Sequence, residues 1–161
     1  MENLILHLGS NLGDRKQNLA LAIESITARI DRIHSQSAFY ETGAWGITDI
    51  PDFINIALWV KTELSPIQAL EAALNIEKEV GRTPAQKWSS RIIDIDLLFY
   101  NDQVIEEENL SIPHVYIQAR NFVLIPLLEI IPNYVHPVLK SSVRTLATNC
   151  KDQSKVEKIE I

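Results

Sequence analysis

The sequence is poor in cysteine and has no long apolar run. Cys150 is the one cysteine among 161 residues, which excludes a disulfide framework and fits a reducing compartment. The most apolar stretch, Phe122 to Pro132, is interrupted by Pro126 and Glu129 and is shorter than the roughly 20 residues that span a bilayer. The N-terminus lacks the basic and apolar regions of a secretory signal. We therefore expect a cytoplasmic protein with no membrane segment.

Positive charge is also in short supply. The chain carries 15 basic and 21 acidic residues, a formal net charge of −6, which argues against a nucleic-acid partner. The segment from Gly81 to Ile93 departs from this balance, since it holds Arg82, Lys87 and Arg91 and no acidic residue. A locally basic segment in an acidic protein indicates a site for a small anion, although an ordinary solvated loop can have the same composition.

The pattern of apolar residues predicts one α+β domain over residues 1–161, since no internal repeat or long linker divides the chain. Strands are predicted at about 3–8, 33–40, 53–62 and 92–100. One helix follows the first strand after an N-cap at Asp14, and another follows the third strand after Ser65 and ends at Gly81. The order β-α-β-β-α-β is typical of a ferredoxin-like core sheet.

A C-terminal extension of short strands and helices is predicted after this core. It comprises a short strand or hairpin near 104–112, helical pieces within 118–130 and a final helix from about Ser142. The charge-rich tail, residues 151–161, shows no pattern from which we could assign a structure.

Two carboxylates lie two residues apart on the last core strand. Side chains at positions i and i+2 of a strand share a face, so Asp94 and Asp96 are expected to project together. The apolar residues around them are expected on the opposite face: Ile93, Ile95, Leu97 and Phe99. Adjacent carboxylates repel each other, and magnesium, which prefers oxygen ligands, relieves that cost. The pair predicts a magnesium site; the alternative is two aspartates on an exposed sheet face.

Further polar residues accompany this pair. Arg91 lies just before it, and arginines beside carboxylates suit a magnesium-bound polyphosphate. Glu77 lies near the apolar stripe of the second helix, so we expect its carboxylate to be paired with Arg82 or with a hydrogen-bond donor of the substrate. The alternative is that the carboxylate simply contacts water. Asn55 shares a strand face with Phe53, and a ring beside an amide can recognise a heterocycle, although ordinary sheet faces also carry such pairs.

The ordered set of motifs resembles the 6-hydroxymethyl-7,8-dihydropterin pyrophosphokinases of the folate pathway, from Gly9 to about Pro137. The fragments that carry the resemblance are Gly9-Ser10-Asn11-Leu12-Gly13-Asp14, Phe39-Tyr40-Glu41-Thr42, Pro51-Asp52-Phe53-Ile54-Asn55, Glu77 with Gly81-Arg82, Lys87 to Leu98, Ile112-Pro113-His114 and Arg120 to Leu127. Each fragment is weak alone, whereas their order is specific. The sequence departs from the family pattern at Leu74, Pro84, Ser89, Ser90 and Val115.

The resemblance implies a reaction and a role for each matching residue. The pterin's hydroxymethyl oxygen attacks the β-phosphorus of MgATP, which gives the pterin diphosphate and AMP. Asp94 and Asp96 would hold two magnesium ions, and Arg82 and Arg91 would also be catalytic. The residues implied to bind ATP are Glu77, Arg82, Lys87, Arg91, Leu97, Ser111, His114 and Arg120. Those implied to bind the pterin are Thr42, Gly43, Trp45, Phe53, Asn55, Trp88 and Phe122. The expected partners are these two small molecules, and the expected state is a monomer.

The basic segment, Gly81 to Ser90, is predicted to be a lid, because no periodic apolar face holds it and its cations repel one another.

Two rival functions stay open. A palm-like nucleotidyl transferase or cyclase also sets two carboxylates on a ferredoxin-like sheet, but it releases pyrophosphate. An RNA-binding sheet module would need stacked aromatic side chains and a basic surface.

Overall fold

The computed structural model describes residues 1–43, 51–82 and 91–160. The elements in chain order are β1 (Glu2–Ser10), α1 (Arg15–Arg29), β2 (Ile33–Gln36), β3 (Phe39–Thr42), β4 (Phe53–Thr62), α2 (Pro66–Val80), β5 (Asp94–Tyr100), β6 (Ile105–Glu106), β7 (Ser111–Ile112), α3 (Asn121–Ile130), α4 (Val143–Asn149) and β8 (Val156–Ile159). A turn of 3₁₀ helix, Ile117–Ala119, precedes α3. None of the helices in these ranges is long and apolar enough to cross a membrane.

An antiparallel sheet forms the centre of this mixed α/β structure. Within the described ranges its strands lie in the order β5-β1-β4-β3-β8, and β2 pairs with β4 as well. β1 pairs with β4 over its full length. On its other side β1 pairs with β5, which places Asp94 opposite Gly9 and Asp96 opposite His7. β6 and β7 form a separate small sheet.

Each face of the sheet packs against helices. On the α1–α2 face, alternate residues of β1 and β4 are buried against the helical residues Leu19, Ile26 and Ile76; they are Leu4, Leu6, Leu8, Ile54, Ile56, Leu58 and Val60. On the α3 face, Ile5 and Ala57 pack with Leu124 and Leu127. The predicted alternation of the first and third core strands is therefore confirmed. The two faces bury separate cores, so the sheet is a rigid platform for side chains near its ends.

Local sequence signals determine where the helices begin and end. The Asp14 side chain accepts a hydrogen bond from Gln17 N at the start of α1. Ser65 forms a reciprocal capping box at the start of α2. Gly81 follows α2 with a φ of 129°, a conformation that favours glycine. Ser142 caps α4. The predicted helix boundaries at these residues are confirmed.

The prediction of one continuous strand over residues 33–40 is wrong, because β2 ends at Gln36 and β3 begins at Phe39. Between them Ser37 N donates to Ala57 O at 3.0 Å, and Ser37 Oγ accepts from Ala57 N at 3.0 Å. The serine side chain thus takes the place of a backbone carbonyl in the ladder. The interruption resembles a β-bulge, in which one strand carries an extra residue.

The expectation that Phe99 lies on the face opposite the aspartates is also wrong. Ile93, Ile95 and Leu97 pack on the α1–α2 face as predicted, but Phe99 packs on the α3 face. A register shift between Ile5 and Leu6 of β1 puts Leu97 opposite Leu6 and Phe99 opposite Ile5. β5 therefore carries one more residue than β1 at this point. Beyond it, the side chains of β5 point to the opposite face from the one that strict alternation predicts.

Candidate active site

A cluster of carboxylates and arginines lies at the start of β5. Asp94 Oδ1 is 3.0 Å from Arg82 Nη1 and 3.8 Å from Arg91 Nε. The same Arg82 nitrogen is 3.0 Å from Glu77 Oε1. One guanidinium group therefore links the last turn of α2 to the first residue of β5, and the predicted pairing of Glu77 with Arg82 is confirmed.

Glu77 is the most buried member of this cluster, with 5% of its surface exposed. Its Oε2 accepts a hydrogen bond from Ile95 N at 2.7 Å. Burial raises the pKa of Glu77 to about 7, and the Asp94 and Asp96 charges act in the same direction, whereas the Ile95 N–H and Arg82 oppose the shift. Through these two contacts Glu77 orients both the Arg82 side chain and the β5 backbone between the two aspartates.

The donor chemistry of Asp94 and Asp96 fits magnesium. Burial raises the pKa of both carboxyls, and the charge of Asp96 raises that of Asp94 further, although Arg82 acts in the opposite direction on each. The positive charge of the nearby arginines therefore does not fully offset the cost of burying the two carboxylates, and an added cation would offset it. Across the described ranges, no group of three or more His, Cys, Asp and Glu side chains could hold a metal ion. Magnesium in phosphate-transfer sites needs only one or two carboxylates, because substrate phosphates and waters complete its shell.

A buried amide and a half-buried ring lie next to this cluster, at the start of β4. Asn55 is 2% exposed, and its Nδ2 donates to Thr42 Oγ1 at 3.1 Å. A Cβ atom on Gly9 would approach Asn55 Oδ1 to 2.9 Å and the Phe53 ring to 3.4 Å. Glycine is therefore needed at this position so that the amide and ring can lie close to β1. Gly43 follows Thr42 at the end of β3.

The start of α3 brings a second ring and a further cation to the same face. His7 Nε2 lies 3.2 Å from Phe122 O, and the two rings are 5.9 Å apart. Burial lowers the pKa of His7 to about 4, so the ring is neutral at pH 7, and Nε2 carries its proton because a carbonyl can only accept. The Arg120 guanidinium lies 5.7 Å from the Phe122 ring and 4.8 Å from the Tyr116 ring.

The other residues implied to bind ATP, namely His114, Ser111 and Leu97, do not form one cluster. His114 N donates to Leu98 O at 3.0 Å, and burial, together with the Arg120 charge, lowers the pKa of its ring. Ser111 is exposed on β7, whereas Leu97 is buried on the α1–α2 face and so points away from the aspartates. Their roles toward ATP stay predictions.

Several predicted site residues lie outside the described residues: Trp45, Lys87 and Trp88. The predicted lid, Gly81 to Ser90, is described only at Gly81 and Arg82. The predictions for these positions stay predictions.

Asn11, for which the sequence predicts no role in the site, is a polar contact residue. It is 1% exposed, its N donates to Arg91 O at 3.0 Å, and its Oδ1 accepts from Arg91 N at 2.7 Å. Its Nδ2 donates to Pro51 O at 3.2 Å. The same side chain therefore positions Arg91 and the segment that enters β4. An amide directly after a buried strand was the available signal, but its partners are distant in sequence.

The fold and this site together define a class of protein. It is an α/β sheet protein in which two strand-borne carboxylates and the arginines beside them suit a metal-bound polyphosphate.

Comparison with known proteins identifies the family. The sequence model described as 7,8-dihydro-6-hydroxymethylpterin-pyrophosphokinase matches residues 5–132. The 2-amino-4-hydroxy-6-hydroxymethyldihydropteridine pyrophosphokinase of Aquifex aeolicus is 41% identical over 144 residues, which cover 89% of each chain. The enzyme of the same name from Methylorubrum extorquens is 43% identical over 136 residues, 84% of this chain and 86% of the relative. The chain belongs to the 7,8-dihydro-6-hydroxymethylpterin-pyrophosphokinase family.

The fold is similar to that of solved structures. A crystal structure of Plasmodium falciparum HPPK-DHPS superposes with a TM-score of 0.73 at 23% identity. The alignment covers 92% of this chain and 43% of that longer protein.

Proposed function

We propose that this chain transfers the pyrophosphoryl group of MgATP to the hydroxymethyl group of 6-hydroxymethyl-7,8-dihydropterin, giving the pterin diphosphate and AMP. The chain is an ATP-dependent pyrophosphokinase, a transferase of folate biosynthesis. The observation that carries the assignment to particular residues is the Asp94–Asp96 pair with Arg82 and Arg91 beside it.

Asp94 and Asp96 are the proposed ligands of two magnesium ions. Magnesium bound there would neutralise phosphate oxygens and polarise the phosphorus under attack. Arg82 and Arg91 would bind further phosphate oxygens, because a guanidinium group presents paired donors to them. Glu77 holds Arg82 in place through their 3.0 Å contact. Arg120, His114 and Lys87 are the remaining proposed phosphate contacts, and Leu97 and Ser111 the proposed adenine contacts.

The proposed acceptor pocket is on the α3 face, between Phe53 and Phe122. Two rings on neighbouring elements can stack against both sides of a flat heterocycle. The Thr42 contact fixes the plane of the Asn55 amide, so that its polar atoms can bind the edge of the pterin. Gly43 supplies main-chain groups beside Thr42 in this proposal, and Trp45 and Trp88 are its further members.

Replacing Asn55 with Ala is expected to weaken pterin binding by about 1–3 kcal/mol, because the polar edge of the heterocycle then lacks a partner in a desolvated pocket. The affinity for an ATP analogue should change much less. Fluorescence titration with 6-hydroxymethylpterin and with the ATP analogue measures both. Asn75→Ala, an exposed substitution in α2, is the matched control. Equal losses for the two ligands would indicate a folding defect and contradict the assignment.

The nucleotide product tests the reaction itself. With MgATP and 6-hydroxymethyl-7,8-dihydropterin, we expect AMP and the pterin diphosphate in equal amounts, separated by anion-exchange chromatography. A palm-like nucleotidyl transferase or cyclase would release pyrophosphate. ADP or pyrophosphate as the main product, with no pterin diphosphate, would refute the proposed function.

We also propose that the core has ferredoxin-like connectivity and that residues 1–161 form one domain. Support comes from the strand order: β4 lies between β1 and β3, and β1 lies between β4 and β5. Each helical connection therefore joins two strands with one strand between them, as in split βαβ units. We also propose a monomer, since contacts within one chain hold the described site residues together.

A further inference from the structure

The C-terminal segment of residues 151–160, here called the strap, contacts both sides of the proposed acceptor pocket. It lies beyond residues 5–132, the range that matches the family. Its strand, β8, pairs with β3 so that Val156 is opposite Thr42. Thr42 in turn binds Asn55 on β4. The strap therefore borders the β3–β4 side of the pocket.

Just before β8 the strap binds the start of α3, which carries Phe122. Asp152 Oδ2 accepts a hydrogen bond from Asn121 N at 3.0 Å. Asn121 Nδ2 donates to Ser154 O at 2.9 Å. Backbone and side chain of the first α3 residue are thus both held by the strap.

The contact at Asp152 supplies a helix cap that α3 does not provide for itself. The first N–H groups of a helix need acceptors outside the helix. Within the described ranges, the N-cap residue of α3, Arg120, makes no side-chain capping hydrogen bond. Asp152 provides the acceptor instead, and its negative charge suits the positive end of the helix dipole. The Arg120 side chain lies over the Tyr116 and Phe122 rings.

Asp152 is itself held rigidly. Its Oδ1 accepts from Ser154 N at 2.9 Å and from Ser154 Oγ at 2.6 Å. Burial acts to raise the pKa of Asp152, but the hydrogen bonds from Ser154 and Asn121 outweigh it, and the pKa lies below its usual range. The carboxylate therefore keeps its charge and orientation at neutral pH.

We propose that Asp152 is a positioning residue for the acceptor: through Asn121 it fixes the Phe122 side of the pocket relative to the β3–β4 side. The inference rests on the proposed function, since it assumes that the pterin binds between these two sides. Loss of the link would leave the start of α3 free to shift, and stacking on Phe122 would weaken.

The test compares Asp152→Ala with Lys155→Ala. Lys155 belongs to the same strap, and its ammonium group is exposed and paired with Glu157. We expect Asp152→Ala to raise the Kd for 6-hydroxymethylpterin about 10-fold, because a charge-assisted hydrogen bond is lost. The Kd for an ATP analogue should change less than about 3-fold, because Arg82 and Arg91 lie on other elements. Lys155→Ala should change neither, and Asp152→Asn, which keeps one acceptor oxygen, should fall between.

The outcomes distinguish failure of the proposed role of the strap from failure of the proposed function. Unchanged pterin affinity in folded Asp152→Ala, judged by circular dichroism, would overturn the role of the strap alone, and so would equal losses for both ligands. A wild-type protein that binds no pterin would overturn the proposed function and this inference with it. If Asp152→Ala does not fold, Ser154→Ala is the alternative variant, since it keeps the carboxylate but removes one of its hydrogen-bond donors. It should raise the pterin Kd about 2-fold to 3-fold. An unchanged pterin Kd in Ser154→Ala would also contradict the proposed role of the strap.

Discussion

Asp94→Asn and Asp96→Asn should each lower turnover by about three orders of magnitude or more, while the fold persists. Metal charge stabilisation of a transferred phosphoryl group is worth several kcal/mol, and each 1.36 kcal/mol corresponds to a factor of ten in rate. An amide keeps the shape of the side chain but is a poor magnesium ligand. The fold should tolerate either change, because burial already raises the pKa of both carboxyls and the charge of Asp96 raises that of Asp94 further.

The decisive measurement is the initial rate of AMP formation at saturating magnesium, together with the free energy of unfolding in urea. Asp102→Asn is a suitable control, since this aspartate is exposed just beyond the other end of β5. Near-normal rates in both Asp94→Asn and Asp96→Asn would eliminate the proposed metal site.

Arg82→Ala should reduce turnover by about 10²–10³-fold, the effect typical of removing one preorganised donor from a transition-state site. Arg82 is the one described cation that contacts both Glu77 and Asp94. Without it, Asp94 loses its nearest cation and the phosphate loses a paired donor. Glu77, whose pKa is already raised to about 7, can take up a proton, so the loss of stability should be modest.

Single-turnover kinetics with pterin titration separates these effects, since pterin affinity should be nearly unchanged. Arg29→Ala is the matched control, because Arg29 pairs with Glu79 in an exposed contact, and such pairs contribute little. Arg82→Lys should restore the charge but not the paired geometry, and so recover only part of the rate. If Arg82→Ala weakened pterin binding as strongly as it slowed turnover, the proposed role would be wrong.

Much of the fold could be predicted because its signals are local. The alternation over 53–62 assigned the faces of β4, and the Ser65 and Gly81 signals located the ends of α2. The predictions failed where a distant partner decides the structure. Ser37 interrupts the second strand by binding Ala57, and the β1–β5 register shift moves Phe99 to the other face. β8 shows no alternation, since its half-buried residues are at the two ends of the strand.

The same division applies to the candidate site. Asp94 and Asp96 could be placed on one face because strand geometry alone requires it, and the pairing of Glu77 with Arg82 follows from their position at the end of one helix. The contacts of Asn11 with Arg91 and of Asn121 with Asp152 span about 80 and 31 positions in sequence. No periodic pattern within one segment can reveal such contacts.

The pairing of β8 with β3 has a consequence for the biogenesis of the chain. Translation delivers residues 156–159 after every other element of the sheet, so a nascent chain can build β1, β4 and β5 while one edge of β3 still awaits its partner. A strand edge with unpaired backbone groups can recruit another chain. The interval between the emergence of β3 and that of β8 from the ribosome is therefore when off-pathway association and chaperone capture should be most frequent.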